Sequence, residues 1–267
     1  MKKSSSILDF YGNNRIGFLH ANGRQATNTL LSFITKSTYT SILEIGFGTG
    51  ATLVKLWSGK NKFKIAGVEV SPVMYRAAVA RLKFCMLREK IDLILTDGAA
   101  LPFSDHSFDI IFAESVLGIL ENDQLPNMIS EIYRVLKPEG FLLLNETIWL
   151  EHFPISSIKD YNKLSRSAYG IIQANESFPY LKDWQKLMVE NKFAIILSEP
   201  FKNENHKFRF NRHVILSDIF SLAGKIKSLI LPNLRRLDRS FREKSKALKF
   251  DGQVMEGYFI IAKKTST

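Results

Sequence analysis

Between residues 41 and 148, short apolar runs rich in Val and Ile alternate with longer stretches in which apolar residues recur every three or four positions. Runs of the first kind read as buried strands and stretches of the second kind as helices laid over them, so a parallel sheet covered by helices on both faces is expected. The strands fall at 41–45, 63–69, 91–96, 108–114 and 140–145, and the helices between them at 51–58, 72–88 and 123–136. Ser71 before Pro72 marks a helix start, because proline lacks only an N–H that has no partner in the first turn. Pro138, Glu139 and Gly140 predict a turn into the fifth strand.

The flanks follow the same logic. Residues 22–35 predict a helix, and the aromatic, polar segment from Phe10 to Asn14 before it is expected to cap one end of the sheet. Helical patterns at 155–172 and 180–190 lead to strands at 193–199 and 255–263. The expected organisation is a single unit over 1–267: a cap at 1–40, a core at 41–148, inserted helices at 149–192, and closing strands at 193–267 that carry a further insertion at 202–250.

Composition narrows the class. With 45% hydrophobic and 24% charged residues the chain can fill an ordinary globular core. One cysteine, Cys85, leaves no internal disulfide and no thiolate metal cluster, which fits a reducing cytoplasm. Lys2 and Lys3 are followed by no apolar run, so no secretion signal is expected, and no stretch is apolar for long enough to span a bilayer. The net charge of +11 is concentrated: Lys202 to Lys249 holds thirteen Lys or Arg against Glu204, Asp218, Asp238 and Glu243.

The chemistry is expected where the first strand ends. Glu44-Ile45-Gly46-Phe47-Gly48-Thr49-Gly50 runs from that strand through a loop with glycine at every second position into a helix. Such a loop lets backbone approach a ligand closely, and the helix start offers unpaired N–H groups. The acid two residues before the first glycine suits a ligand carrying an ammonium and a sulfonium better than a pyrophosphate. Glu69 ends the second strand, where a carboxylate can hold both ribose hydroxyls. Asp97 and Gly98 follow the third, where an acid can accept from an adenine amino group beside a glycine that leaves room for the ring.

Joined to Gly67-Val68-Glu69-Val70-Ser71, Asp97-Gly98-Ala99-Ala100-Leu101-Pro102-Phe103, Phe108-Asp109-Ile110-Ile111-Phe112 and Arg134-Val135-Leu136-Lys137-Pro138-Glu139-Gly140, these residues make the chain resemble the class I S-adenosylmethionine-dependent methyltransferases, in their UbiE-like small-molecule group. The resemblance implies a Rossmann-like, doubly wound α/β sheet of seven strands with the last antiparallel, plus helical lid insertions. It implies S-adenosyl-L-methionine as cofactor and S-adenosyl-L-homocysteine as product. Gly46 and Gly48 would pack against the methionine part, Glu69 would hold the ribose, and Asp97 with Gly98 would face adenine; Glu44, Phe47, Gly50, Val70, Ala99 and Glu114 complete the expected cofactor set. Two places depart from the pattern: Gly118 and Ile119 stand where many relatives carry two histidines, and Asn191-Lys192-Phe193 replaces an Ala-Gly-Phe-like turn.

Methyl transfer is an in-line displacement in which alignment supplies much of the acceleration, and a base is needed only for an acceptor that must lose a proton. Glu114, at the end of the fourth strand, is the first candidate for a catalytic carboxylate, with a helix N-terminal acid as the alternative. His20 and Tyr11 are the other catalytic candidates, against a helix-entry hydrogen bond and simple packing. Glu146 and His152 could reach an acceptor or be ordinary loop residues. No metal site is expected, since Glu114, Asn145 and Glu146 are too few ligands. Cys85 reads as a core thiol.

The expected partner is a small acceptor, anionic or lipophilic, methylated on O, N or C, with nucleic acid disfavoured by the absence of its usual motifs. An RNA methyltransferase and a non-catalytic S-adenosylmethionine-binding protein are the alternatives. The basic residues of 217–249 fall on two amphipathic helices, to be read as a solvated face, as an acceptor lid or as a membrane-surface element.

Overall fold

The computed structural model describes residues 6–20, 22–35, 40–59, 63–121, 123–202, 211–246, 248 and 252–265. Lys207, Arg209 and Lys249 of the basic run lie outside the described residues. Strands β1 (Ser41–Ile45), β2 (Lys64–Glu69), β3 (Asp92–Leu95), β4 (Phe108–Glu114), β5 (Leu136–Trp149), β6 (Phe193–Pro200) and β7 (Met255–Lys264) form a seven-stranded sheet in the order β3-β2-β1-β4-β5-β7-β6. The first five pair in parallel, while β7 runs antiparallel to both β5 and β6, as the resemblance implies. The strand order reverses between β1 and β4, where a sheet of this kind opens a crevice beyond its C-terminal strand ends.

Helices α2 (Gly23–Thr35), α3 (Ala51–Trp57) and α4 (Pro72–Phe84) cover one face, with α5 (Gln124–Val135) and α7 (Leu181–Glu190) on the other. Two apolar clusters follow from the period of two along each strand. Ile42, Ile110, Phe112 and Leu143 point into the first layer, and Leu43, Ile111, Ala113 and Leu144 into the second. Extended by the same period, Glu44, Glu114 and Asn145 fall on the α2–α3 face and Glu146 on the other. A third cluster, centred on Trp149 stacked 5.5 Å from Phe153, seats α6 (Ile155–Tyr169).

The structure departs from the expected elements in four places. Residues 7–13 form a helix, α1 (Ile7–Asn13), started by a reciprocal cap between Ser6 and Asp9. Helix α4 stops at Phe84 rather than 88 because Met86 takes a left-handed conformation, φ 58°. Strand β5 begins at Leu136, before the turn, and absorbs residues 137–140 as a bulge between its pairings with Phe108 and Ile110. Among the described residues none of the inserted pair α8 (Arg212–Ile230) and α9 (Pro232–Lys246) lines the cavity at the strand ends. Phe220 and Gly224 of α8 are buried, Gly224 against the Asn14 carbonyl, and Phe241 of α9 packs on Phe10 of α1.

Several residues of the resemblance prove to be scaffold. Asp109, at the start of β4, accepts from the Ser41 amide (2.9 Å) and hydroxyl (2.7 Å) and from Lys137 Nζ (2.9 Å), and these hydrogen bonds hold its carboxyl well below its usual range against the opposing effect of burial. Arg134 donates to the Leu101 and Phe103 carbonyls and to Glu131, while Glu131 accepts from the Leu101 amide. That pair shapes the loop after β3, which faces the cleft.

Candidate active site

A cavity of about 1060 Å³ opens at the C-terminal ends of β1, β2, β3 and β4. Its floor is the glycine loop. Gly46, Gly48 and Gly50 all have positive φ (69°, 52° and 76°), and the loop is fixed by the Gly46 amide donating to the Val68 carbonyl at 2.8 Å. A β-carbon on Gly46 would collide with Val116, so the position demands glycine on two counts. Gly46, Phe47 and Gly48 line the cavity; Gly50 does not, because it caps α3 and packs on Ala78 of α4.

Three carboxylates meet here. Glu44, on β1, is 4% exposed, and its Oε2 has no hydrogen-bond partner. Burial, then the neighbouring Glu114 and Glu69, push its carboxyl well above the usual range. Glu69 accepts from the Gly48 amide (2.8 Å) and from the Val70 and Ser71 amides (2.9 Å each). Burial raises its pKa and these three amides oppose the rise. Glu114 accepts from Thr27 of α2 (3.0 Å) and Thr52 of α3 (3.0 Å), and His20 Nε2 lies 3.4 Å from it. His20 Nε2 also lies 2.9 Å from the Thr27 hydroxyl, and Nδ1 lies 3.2 Å from Asn145 Nδ2. Thr27 and Thr52 carried no signal of their own in the sequence, since threonine in a helix is unremarkable locally, and Asn145 stood out there only as one of too few metal ligands.

At the rim, Asp97 accepts from the Ala99 amide (3.0 Å) and Gly98, φ 82°, lies close to Val70, which is exposed and lines the cavity. Ile7, Leu8 and Tyr11 of α1 and Tyr169, Ile171 and Ile172 at the end of α6 form an apolar wall. Burial, then Tyr169 and Asp238, push the Tyr11 hydroxyl upward. Glu44, Glu69, Asp97, Glu114 and Asp123 line the cavity, and among the described residues no Lys or Arg does.

The other sequence candidates lie elsewhere. Glu146 is fully buried in β5, accepting from the amides of Val116 (3.1 Å), Leu117 (3.0 Å) and Gly118 (3.0 Å), and burial raises its pKa to about 7. It thereby holds the turn that replaces the histidine pair, and a side chain at Gly118 would press on its Oε2. His152 is exposed and off the cavity. Among the described residues no group of three or more His, Cys, Asp or Glu is arranged to hold a metal ion.

Residues 42–140 match the family model described as Methyltransferase domain. Over this segment the chain is similar to methyltransferase domains. A demethylmenaquinone methyltransferase of Bacteroides fragilis is 28% identical over 161 residues, 59% of this chain and 63% of that one. An uncharacterized protein of Haemophilus influenzae is 32% identical over 130 residues, 49% of this chain and 51% of its own length. The chain thus spans about half to two-thirds of the length of these two relatives. Among solved structures, the [4+2]-cyclase SpnF superposes with a TM-score of 0.64 at 19% identity, covering 98% of this chain and 94% of that one. Geranyl diphosphate C-methyltransferase of Streptomyces coelicolor A3(2) gives 0.59 at 12% identity, over 91% and 79%. At such identities the likeness shows the fold alone, a Rossmann-like sheet, and it takes in both flanks of the matched segment.

Arg81 of α4, absent from the expected set, ties the matched segment to those flanks. Fully buried, it donates to the Thr49 carbonyl (2.7 Å), the Arg15 carbonyl (2.8 Å) and the Ser217 carbonyl (2.9 Å), joining the glycine loop, the segment after α1 and α8.

Proposed function

We propose that the whole chain is one S-adenosylmethionine-dependent methyltransferase of the cytoplasm that acts on a neutral or cationic, largely apolar small molecule. One observation carries the cofactor reading: Glu44 is gathered with Glu69 and Glu114, both of which repel its charge, at one cavity that no described Lys or Arg lines, and one Glu44 oxygen is unpartnered. A net-positive ligand relieves that repulsion. Glu44 would hold its ammonium, Gly46 to Gly48 its methionine chain and Glu69 its ribose, while Val70, Asp97 to Ala99 and Leu101 enclose adenine. When bound, S-adenosylmethionine supplies an electrophilic methyl on sulfur.

The chain's own residues do the rest. The wall from α1 and the end of α6 excludes water and orients the acceptor. In the tautomer with Nε2–H toward Thr27 and Glu114, His20 would offer Nδ1 to an acceptor hydroxyl that displaces the Asn145 amide and gives up its proton there. Glu114 positions that ring, and Tyr11 closes the wall. The basic run had suggested an anionic acceptor; the lining acids, with no Lys or Arg lining the cavity among the described residues, argue against it.

Calorimetry with S-adenosylmethionine tests the first part, and incubation with labelled cofactor and panels of neutral and anionic acceptors tests the second. No affinity for the cofactor or its demethylated product rejects the reading. Binding without turnover leaves a non-catalytic binding protein, and preferential methylation of anions rejects the acceptor class.

A further inference from the structure

Helix α8 carries a face that packing inside the molecule leaves unused. Its Phe220 and Gly224 are buried, whereas Ile219, Leu222, Ile226, Leu229 and Ile230 are 46–69% exposed. At about 100° per residue these five fall in one stripe opposite Phe220 and Gly224, with Lys225 and Lys227 bordering it on its two sides. The stripe runs to the corner with α9, where Leu231 is 42% exposed and Arg235 and Arg236 are exposed just beyond. From Arg212 to Lys246 nine Lys or Arg stand against Asp218, Asp238 and Glu243, and the two aspartates are already paired, with Arg24 and Arg242.

We propose that α8 and the 229–231 corner dock on the surface of an anionic lipid bilayer, the aliphatic stripe at the acyl boundary and Lys225, Lys227, Arg235 and Arg236 among the phosphates. The charge selects this occupant. A second copy would bring the same positive face against itself. Nucleic acid is gripped by exposed aromatic rings, and the two aromatic residues of these helices, Phe220 and Phe241, are buried. The contact lies in the plane of the surface, since among the described residues no helix is long and apolar enough to cross a membrane. It also has a geometric consequence: α9 packs through Phe241 on Phe10 of α1, the helix whose Ile7, Leu8 and Tyr11 line the cavity, so docking sets the apolar wall beside a reservoir of lipophilic molecules. The inference stands independently of cofactor and reaction.

Co-sedimentation of the full chain with vesicles of phosphatidylcholine alone, and of phosphatidylcholine with phosphatidylglycerol, tests it. Binding is expected only to the anionic vesicles and to weaken steeply with salt. Leu229→Gln with Ile230→Gln, and separately Arg235→Gln with Arg236→Gln, should each lower partitioning roughly tenfold or more at unchanged melting temperature. Equal binding to neutral vesicles, no binding to anionic ones, or binding that survives both double variants overturns the proposal. So does a dimer broken by the apolar pair, which gives the stripe to a second copy, or single-stranded RNA that displaces the vesicles.

Discussion

Glu44 concentrates the electrostatic problem of the site. It sits inside a parallel sheet, between Gly67 of β2 and Phe112 of β4, with no Lys or Arg among the described residues lining its cavity and one oxygen unpartnered. A carboxylate so placed holds its proton to higher pH than a free one, and a cationic ligand favours its release. The affinity for S-adenosylmethionine is therefore expected to rise with pH through the raised Glu44 range, with proton release detectable by calorimetry in two buffers of different ionisation enthalpy. Glu44→Gln should flatten most of that slope and weaken binding roughly 10- to 100-fold, the loss of one charge-assisted hydrogen bond of about 1.5–3 kcal/mol, without lowering the melting temperature of the ligand-free protein. His20 makes a different prediction: His20→Ala should reduce turnover while leaving cofactor affinity within about twofold, since its partners are Thr27, Glu114 and Asn145 rather than the glycine loop. A turnover unaffected by the change means that the acceptor needs no base.

Among the elements, those that can be read locally were legible and those held by distant contacts were not. Strands β1 and β4 lie where the apolar runs place them, because a strand buried on both faces announces itself by composition alone. The glycine loop and Glu69 are placed by strand ends and fall where expected. Helix α1 was invisible as a helix: seven residues with Gly12 inside give too short a pattern, and Gly12 is there because a side chain would press on Val73 and Met74 of α4. Arg81 reads as one more surface cation on an amphipathic helix, yet it is buried by α8, more than 130 residues away, an approach no local pattern encodes. Arg81→Met should therefore act on elements rather than on one contact. It strands the Thr49, Arg15 and Ser217 carbonyls at about 1–3 kcal/mol each for those that water cannot reach, and limited proteolysis should show faster cleavage near Arg15 and in α8 than in the core. Cleavage rates rising equally everywhere would reduce Arg81 to a general stability residue. Gly46→Ala is the contrasting case, confined to one loop, where φ 69° and the Val116 contact should cost about 2 kcal/mol and abolish cofactor binding.

At the scale of the molecule, the fold gathers its buried acids near one end of the sheet and its basic surplus on α8 and α9, so stability and function pull the pH optimum in opposite directions. Glu146 illustrates the sign. Its carboxyl has an ordinary value of 4.5 and is raised to about 7 by burial, so between those values the folded chain holds a proton that the unfolded chain has lost. Stability associated with Glu146 is thus fully present below about 4.5 and is lost as pH rises through about 7, a change on the order of 3 kcal/mol, and Glu44 adds to it in the same direction. Asp109 and Glu131, whose pKa values are lowered, work the other way, contributing stability that disappears only as acid protonates them. The ligand-free protein should accordingly be most stable on the acid side of neutrality and melt at progressively lower temperature from about pH 5 to about pH 8. Glu146→Gln should flatten part of that decline while lowering the acid-side maximum, because an amide nitrogen opposite the Gly118 N–H cannot accept its hydrogen bond. Saturating S-adenosylmethionine should stabilise more at pH 8 than at pH 5, because the cation favours the ionised form of Glu44. A melting temperature that climbs steadily from pH 5 to pH 8 without ligand would show that Glu44 and Glu146 ionise without penalty, and with that the electrostatic case for a cation-binding cavity would fall.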